Sequence, residues 1–467
     1  MAGTNINIML KKVLQQKSTF IAVILTSCLH LTVRAQDTLQ ENTIAAGTAK
    51  ADTLSKNEKF SYHFQATFVG QHQLDFHAPY SGENSLLTHE RLRLSTTATL
   101  FLGTRLWKGA EIYFNPELSG GRGLTGASGL AGAPNGEVYR VGDPEPVITA
   151  SRIFLRQTFN LSQDHINIDG GQNQLSGNTA AHRLVLTFGK FAITDMYDAN
   201  TYSHDPRNQF LNWAIMSAGA WDYPANTRGY TYGFVTELIY PQWSLKGSVV
   251  MVPEVANGPY MDMDIAQAHS ETIELDKKIQ VFHKPTVLRL IGFYTQAHMG
   301  SYKEAILENP LQPDVISTRT YTHDKYGFVI NAEQQVNDNI GIFGRFSWDN
   351  GTSETFAFTE IDQSLNTGVQ LKGNIWKRPT DQFGATLLLN GLSKDHRDYL
   401  AAGGYGFIIG DGRLNYGLEH IVELYYSAKL FENFWLSPDY QFVLNPAYNK
   451  DRGPVVNIVG IRGHIEF

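Results

Sequence analysis

Cysteine occurs once in these 467 residues, at Cys28, inside a leading segment that reads as removable. The chain beyond that segment has no thiol, and so no disulfide, no cysteine-ligated metal and no cysteine nucleophile. Long apolar runs are missing too. After residue 35 no stretch approaches 18 consecutive apolar residues, which excludes helical membrane spans. Positive charge is in deficit, with 38 Lys and Arg against 45 Asp and Glu, so nothing favours nucleic acid, which selects basic surfaces. The sequence also lacks G-x-S-x-G, H-E-x-x-H and P-loop patterns, so neither an enzyme nor a cofactor is expected. The histidines show no metal-ligand spacing. Asp262 and Asp264 are candidate calcium ligands, yet without further spaced acids they read as an exposed acidic loop.

The first 35 residues read as a secretory signal. Lys11, Lys12 and Lys17 form its positive region, Phe20 to Leu31 its apolar region, and Val33-Arg34-Ala35 precedes cleavage at Gln36. Leu25-Thr26-Ser27-Cys28 approaches a lipobox, but the apolar region continues past it through Leu29 and Leu31. Cleavage removes four basic residues and no acidic one, leaving a chain more acidic than the −7 of the full sequence. Residues 36–59 are polar and expected to be a flexible periplasmic segment. Residues 60–467 are expected to form one domain.

What that domain has in quantity is tyrosine, phenylalanine and glycine, in segments that alternate apolar and polar residues. Sixteen such segments span about 60–73, 88–104, 109–119, 150–160, 181–191, 228–240, 242–253, 269–282, 285–297, 322–335, 339–349, 358–373, 381–392, 417–430, 433–444 and 453–467. Most exceed the ~9–11 residues that a tilted membrane strand needs. Their connections alternate between short turns, such as Asn337-Asp338, and long loops, such as 120–149, 192–227 and 393–416. Short periplasmic turns opposite long extracellular loops characterise bacterial outer-membrane barrels. The stretch Leu161 to Ala180 breaks the rule, being a long connection where a short one is due. The expected fold is therefore all-β: an antiparallel transmembrane barrel of about 16 strands, with 18 as the fallback.

Strand side chains alternate faces. Ile112 and Phe114 oppose Glu111, Tyr113, Asn115 and Glu117; Ile153, Leu155 and Phe159 oppose Arg152 and Arg156; Leu184, Leu186 and Phe188 oppose Arg183. Arg91 and Arg93 share a face, as do Glu423 and Asp439 with their polar neighbours. Charge on the lipid face is costly near mid-bilayer, so these rows are expected to line the lumen. The last strand behaves alike, with Arg462, His464 and Glu466 expected to face water in the channel and Phe467 ending it. A barrel of 16 strands leaves an aqueous channel.

Loop 192–227 is rich in groups suited to sugars: Asp195, Asp198, Asn200, His204, Asp205, Arg207, Asn212, Trp213, Trp221, Asp222, Tyr223 and Asn226. Asp205-Pro206 reads as an N-cap and first helical proline, with Phe210, Leu211, Ala214 and Ile215 as the apolar stripe of a short helix. Such a loop is expected to fold into the pore and narrow it, or else to pack on the rim as a lid.

The segment Leu186-Thr187-Phe188-Gly189-Lys190-Phe191, then Asp198-Ala199-Asn200 and His204-Asp205-Pro206-Arg207, resembles the OprB-type carbohydrate-selective porins. So do Gln209-Phe210-Leu211-Asn212-Trp213, Gly219-Ala220-Trp221-Asp222-Tyr223-Pro224, Arg228-Gly229-Tyr230-Thr231-Tyr232-Gly233, Met251-Val252-Pro253, Ala256-Asn257-Gly258-Pro259, Glu423-Leu424-Tyr425-Tyr426 and the run from Pro438 to Pro446. These blocks lie within residues 180–467; the residues before Leu184 resemble the family loosely. The resemblance implies a sixteen-stranded outer-membrane barrel passing mono- and small oligosaccharides through a narrowed, charge-lined pore. Arg91, Arg93 and Glu111 as sugar contacts rest on face assignment alone. The partners expected are small sugars as solutes, outer-membrane lipid and lipopolysaccharide, and the barrel-assembly machinery through the strand ending at Phe467. The alternative is a general or anion-preferring porin on the same barrel. A barrel enzyme and a soluble glycan-binding β protein are more distant rivals.

Overall fold

The computed structural model describes residues 57–138, 144–453 and 455–467. The expected signal segment and residues 36–56 lie outside them. The strands in chain order are β1 (Phe60–Gln73), β2 (Arg93–Trp107), β3 (Ala110–Gly121), β4 (Val147–Asn160), β5 (His165–Ile168), β6 (Gly177–Ala180), β7 (Arg183–Phe191), β8 (Thr231–Tyr240), β9 (Trp243–Met251), β10 (His269–Val281), β11 (Lys284–Gln296), β12 (Asp324–Asn337), β13 (Ile340–Asp349), β14 (Gln363–Lys372), β15 (Gln382–Gly391), β16 (Glu419–Phe431), β17 (Phe434–Leu444) and β18 (Val455–Glu466). Sixteen close an antiparallel barrel, each paired with its neighbour in sequence except where β4 passes directly to β7. β1 and β18 pair from Gln65↔Glu466 to Gln73↔Ile458. That closure leaves the barrel no free edge, the condition for a sheet to sit in hydrocarbon.

The period-2 pattern explains the two surfaces. Phe68, Leu94, Phe114, Ile153, Phe188, Leu365 and Ile461 stand exposed on the outside, while Thr99, Asn115, Thr187, Asn331, Glu423 and Gln441 are buried inside. Exposed apolar side chains on one continuous face fit a lipid solvent, because nothing else among the described residues covers them. Aromatic pairs such as the Tyr240 and Trp243 rings, stacked with centroids 4.6 Å apart, sit beside the short turns, where amphipathic rings mark a membrane interface.

The irregular connection 161–182 resolves the choice between 16 and 18. β5 and β6 pair only with each other, in a two-stranded sheet outside the barrel. It is an elaboration of the short-turn end.

The barrel is not empty. Segments 122–138 and 192–230, from two long loops, fold inward and build an apolar core against one side of the wall. Phe210, Ala214 and Ile215 pack with Phe343 of β13, Leu388 of β15, Ile421 and Tyr425 of β16, Val443 of β17 and Ile458 of β18. Where the loops dock, these apolar side chains share the inner wall with buried polar ones such as Asn331, Arg345 and Glu423. As a result β18 departs from its expected exposure. Arg462 and His464 do not face channel water but are buried. Arg462 Nη1 donates to the carbonyls of Pro206 and Gln209, each at 2.6 Å, and His464 Nδ1 lies 2.9 Å from the Thr67 hydroxyl. Alternation assigns their face correctly but carries no information about what covers it.

The short helix also lies later than expected. Asp205 accepts from the Arg207 N–H at 2.9 Å and starts only a turn. Helix α1 is Trp213–Met216, capped by the Asn212 side chain accepting from the Ala214 N–H. Between them, the wall carboxylate of Glu423 takes the N–H groups of Leu211 and Asn212 at 2.5 and 3.1 Å. The chain extends there because an external acceptor replaces the helical one.

Candidate functional site

Wall residues hold loop 192–230 along its length. Asp198, wholly buried, accepts from Arg345 Nε at 3.0 Å and Asn331 Nδ2 at 2.6 Å, and its other oxygen takes the Ala218 N–H at 2.8 Å. Glu274 accepts the Asp198 N–H at 2.6 Å. The Asn200 amide donates to Asn331 at 2.8 Å. Asp222 gathers the N–H groups of Phe356, Ala357 and Phe358 between 2.7 and 3.0 Å. The wall anchors lie on β10, β12, β13, β16 and β18, and Phe356 to Phe358 belong to the connection between β13 and β14, so the loop's fixed side faces that half of the barrel. Buried charges of this kind are tolerable because each has a partner and further hydrogen bonds.

Its other side faces β2, β3 and β4 across a cavity of about 360 Å³. A chain of alternating charges runs along that gap. Arg152 of β4 grips Asp195 through Nε and Nη2, both at 2.7 Å, and lies over the Tyr230 ring at 5.2 Å. The Tyr230 hydroxyl donates to Glu117 of β3 at 2.8 Å, and Thr99 of β2 donates to the other Glu117 oxygen at 2.7 Å. Arg207 reaches Glu117 at 3.4 Å and Glu137 at 3.0 Å. Burial alone would depress Arg207; the carboxylates of Glu137 and Glu117 outweigh it and raise its pKa, so it stays charged. His204, in contrast, is held below the usual imidazole value by burial and by the Arg345 guanidinium. Aromatic faces border the same gap: Trp213 stacks on Phe358 with centroids 5.7 Å apart, and Tyr223 lies 4.1 Å from Phe358.

A wider cavity of about 860 Å³ opens toward the short-turn end. Glu111, paired with Arg105 at 2.9 Å, lines it with Arg156 and Arg183. Asp195 lines both cavities. The Arg152–Asp195 pair therefore stands between the two cavities.

The residues singled out by sequence thus separate into four groups. Glu117, Arg152, Asp205, Arg207 and Trp213 line the narrow cavity, and Glu111, Arg156 and Arg183 the wider one. Asp198, Asn200, Trp221, Asp222, Glu423 and Asp439 are buried in the loop–wall contact. Arg93 sits at the outer end of β2, bonded to Glu90 at 2.8 Å, with Arg91 exposed beside it, and neither lines these two cavities. Asp262 accepts from the Tyr321 hydroxyl at 2.8 Å and from the Asp264 N–H at 2.9 Å. Sequence reading misses Glu137, whose loop gives no sign of folding inward, and Gln65 and Gln172, which carry no charge.

A family model, the carbohydrate-selective porins of the OprB family, matches residues 83–467. The chain belongs to that family. The match begins well before Leu184 and includes β2 to β4. Among solved structures, the high-pH form of Pseudomonas putida OprB is similar at 16% identity and a TM-score of 0.65, covering 88% of this chain and 94% of that one. Its low-pH form aligns at 13% identity, TM-score 0.47, covering 88% and 93%. The outer-membrane channel DcaP of Acinetobacter baumannii aligns at 10% identity, TM-score 0.45, covering 87% and 97%. Among curated proteins none matches. Family and closed sixteen-stranded barrel together make this a carbohydrate-selective porin of the outer membrane, a channel rather than an enzyme. The wider cavity forms a vestibule at the short-turn end of the barrel.

Proposed function

We propose that mono- and small oligosaccharides diffuse passively through the gap between loop 192–230 and the wall of β2 to β4. The observation that carries this is the row Asp195, Arg152, Tyr230, Glu117 and Arg207 set beside the faces of Trp213, Tyr223 and Phe358. A sugar ring offers hydroxyl edges to guanidinium and carboxylate groups and C–H faces to aromatic rings. Partners already bonded to one another release and remake those bonds as hydroxyls pass. Binding must stay weak, since a tight site would slow exit. Glucose or maltose added to single channels in planar bilayers should reduce ion current saturably; a current indifferent to any sugar rejects this path.

The guanidinium groups are matched by carboxylates along the gap, which argues against anion preference; a large reversal potential in a salt gradient would favour that alternative. Residues 1–35 are proposed to direct export, and the strand ending at Phe467 to engage the assembly machinery, with lipopolysaccharide covering the outer apolar belt.

A further inference from the structure

The connection 161–182 does more than decorate the periplasmic end. Its tip, residues 169–176, projects into the lumen between β5 and β6. Leu175 is buried against Tyr113 and Phe154 inside the barrel, and its N–H donates to the Tyr113 hydroxyl at 3.3 Å. Arg156 of β4 donates to the Asn173 carbonyl at 3.0 Å. Gln172 Nε2 reaches across to β1 and β18, donating to Gln65 at 2.9 Å and Glu466 at 3.2 Å. Gln172 and Gln65 line the narrow cavity, whereas Gln174 and Leu175 line the vestibule. The tip thus stands on the boundary between the two spaces, as Asp195 does.

The tip is also fastened from outside. Glu58, just before β1, accepts from the Ser176 N–H at 2.9 Å and its hydroxyl at 3.0 Å, and the Glu58 N–H donates to the Ser176 carbonyl at 3.0 Å. Asn57 accepts the Asn178 N–H at 2.9 Å, and Arg105 donates to the Ser176 carbonyl at 3.3 Å. A turn needed only to join β4 to β7 requires none of this. Two residues could close the β5–β6 hairpin after Ile168↔Gly177, yet the chain runs on in the same register to a Gly171↔Gln174 bridge and turns only at Gln172-Asn173.

We propose that the 169–176 tip is a second constriction of the channel, entering from the periplasmic side, with the Gln172 amide as its solute-contacting group. The sugar-contacting part rests on the carbohydrate path proposed above; the constriction does not. An amide offers both a donor and an acceptor to a hydroxyl, without the charge that would bind ions.

Replacing residues 169–176 with Asn-Gly leaves the hairpin register intact and removes the tip. Single-channel conductance in planar bilayers should then rise, roughly twofold, with the protein still shifting on a detergent gel when boiled. An unchanged conductance in that folded protein overturns the constriction. Gln172→Ala should raise the sugar concentration for half-block severalfold; an unchanged value overturns the amide's role. If the wild-type channel is never blocked by sugar, the carbohydrate path fails while the conductance arm still decides the constriction.

Discussion

At the scale of single residues, alternation identifies the face of a side chain but not its task. Arg152 and Arg345 are both inward arginines on strands, and their surroundings separate them. Arg152 pairs with Asp195 where two cavities meet; Arg345 is buried among Asp198, Ser203 and Ile215. Arg152→Ala should weaken sugar block about tenfold, the effect of losing a charged hydrogen bond of about 1.5 kcal/mol. Arg152→Lys should restore charge but little of the block, since an ammonium lacks the bidentate fork. Half-block concentrations for the two variants check this, and full rescue by lysine would contradict it. Nothing in the sequence distinguishes Arg152 from Arg91 or Arg93. The structure separates them: Arg91 precedes β2, Arg93 stands at its outer end, and Arg152 lies deeper, beside the gap.

At the scale of elements, the strands are legible in the sequence and the lumen-filling loops only partly so. Strand periodicity survives because lipid on one side and polar lumen or loop on the other act on every residue of a strand. Loop 192–230 declares itself through its aromatic and amide content. Segment 122–138 does not, because glycine and alanine runs such as Ala131-Gly132-Ala133 signal an ordinary loop. Yet the Glu419 carboxylate receives the N–H groups of Ala131 and Gly132 at 3.0 and 2.8 Å. The short helix starts later than Asp205-Pro206 suggests because the competing acceptor, Glu423, lies 212 residues from Leu211 in sequence. Anchoring of this kind makes a loop behave as part of the wall. Asp198→Ala strands Arg345 in a buried site, at a cost of about 3–5 kcal/mol. The expected result is a noisier, larger open-channel current with the barrel still assembled. A quiet channel of native conductance would show that the loop holds without Asp198.

At the scale of the molecule, closure is the decisive fact. β18 pairs with β1 on one side and β17 on the other, and the Phe467 N–H and carbonyl bond Phe64 across the seam at 2.9 and 3.1 Å. Protein recovered from outer membranes should begin at Gln36 by intact mass. Deleting Phe467 should reduce the fraction that shifts on a gel when boiled; an undiminished fraction would remove Phe467 from assembly. Sixteen strands are legible as a count because each membrane crossing repeats the same pattern. The ambiguity between sixteen and eighteen comes from β5 and β6, strands that never reach the bilayer.

The fully buried contacts of Asp198 and Glu423 fix loop 192–230 on the β10 to β16 side, and the path runs along the opposite wall, where Arg152 and Glu117 bond the loop from beside the gap. Stability and cargo are thereby assigned to different parts of the chain. Substitutions along β2 to β4 alter what passes while leaving the interior contacts of Asp198, Asp222 and Glu423 untouched. Such a pore can be retuned to a new solute in small steps, each variant still folding, because the fully buried contacts of the loop lie away from the surface that reads the solute.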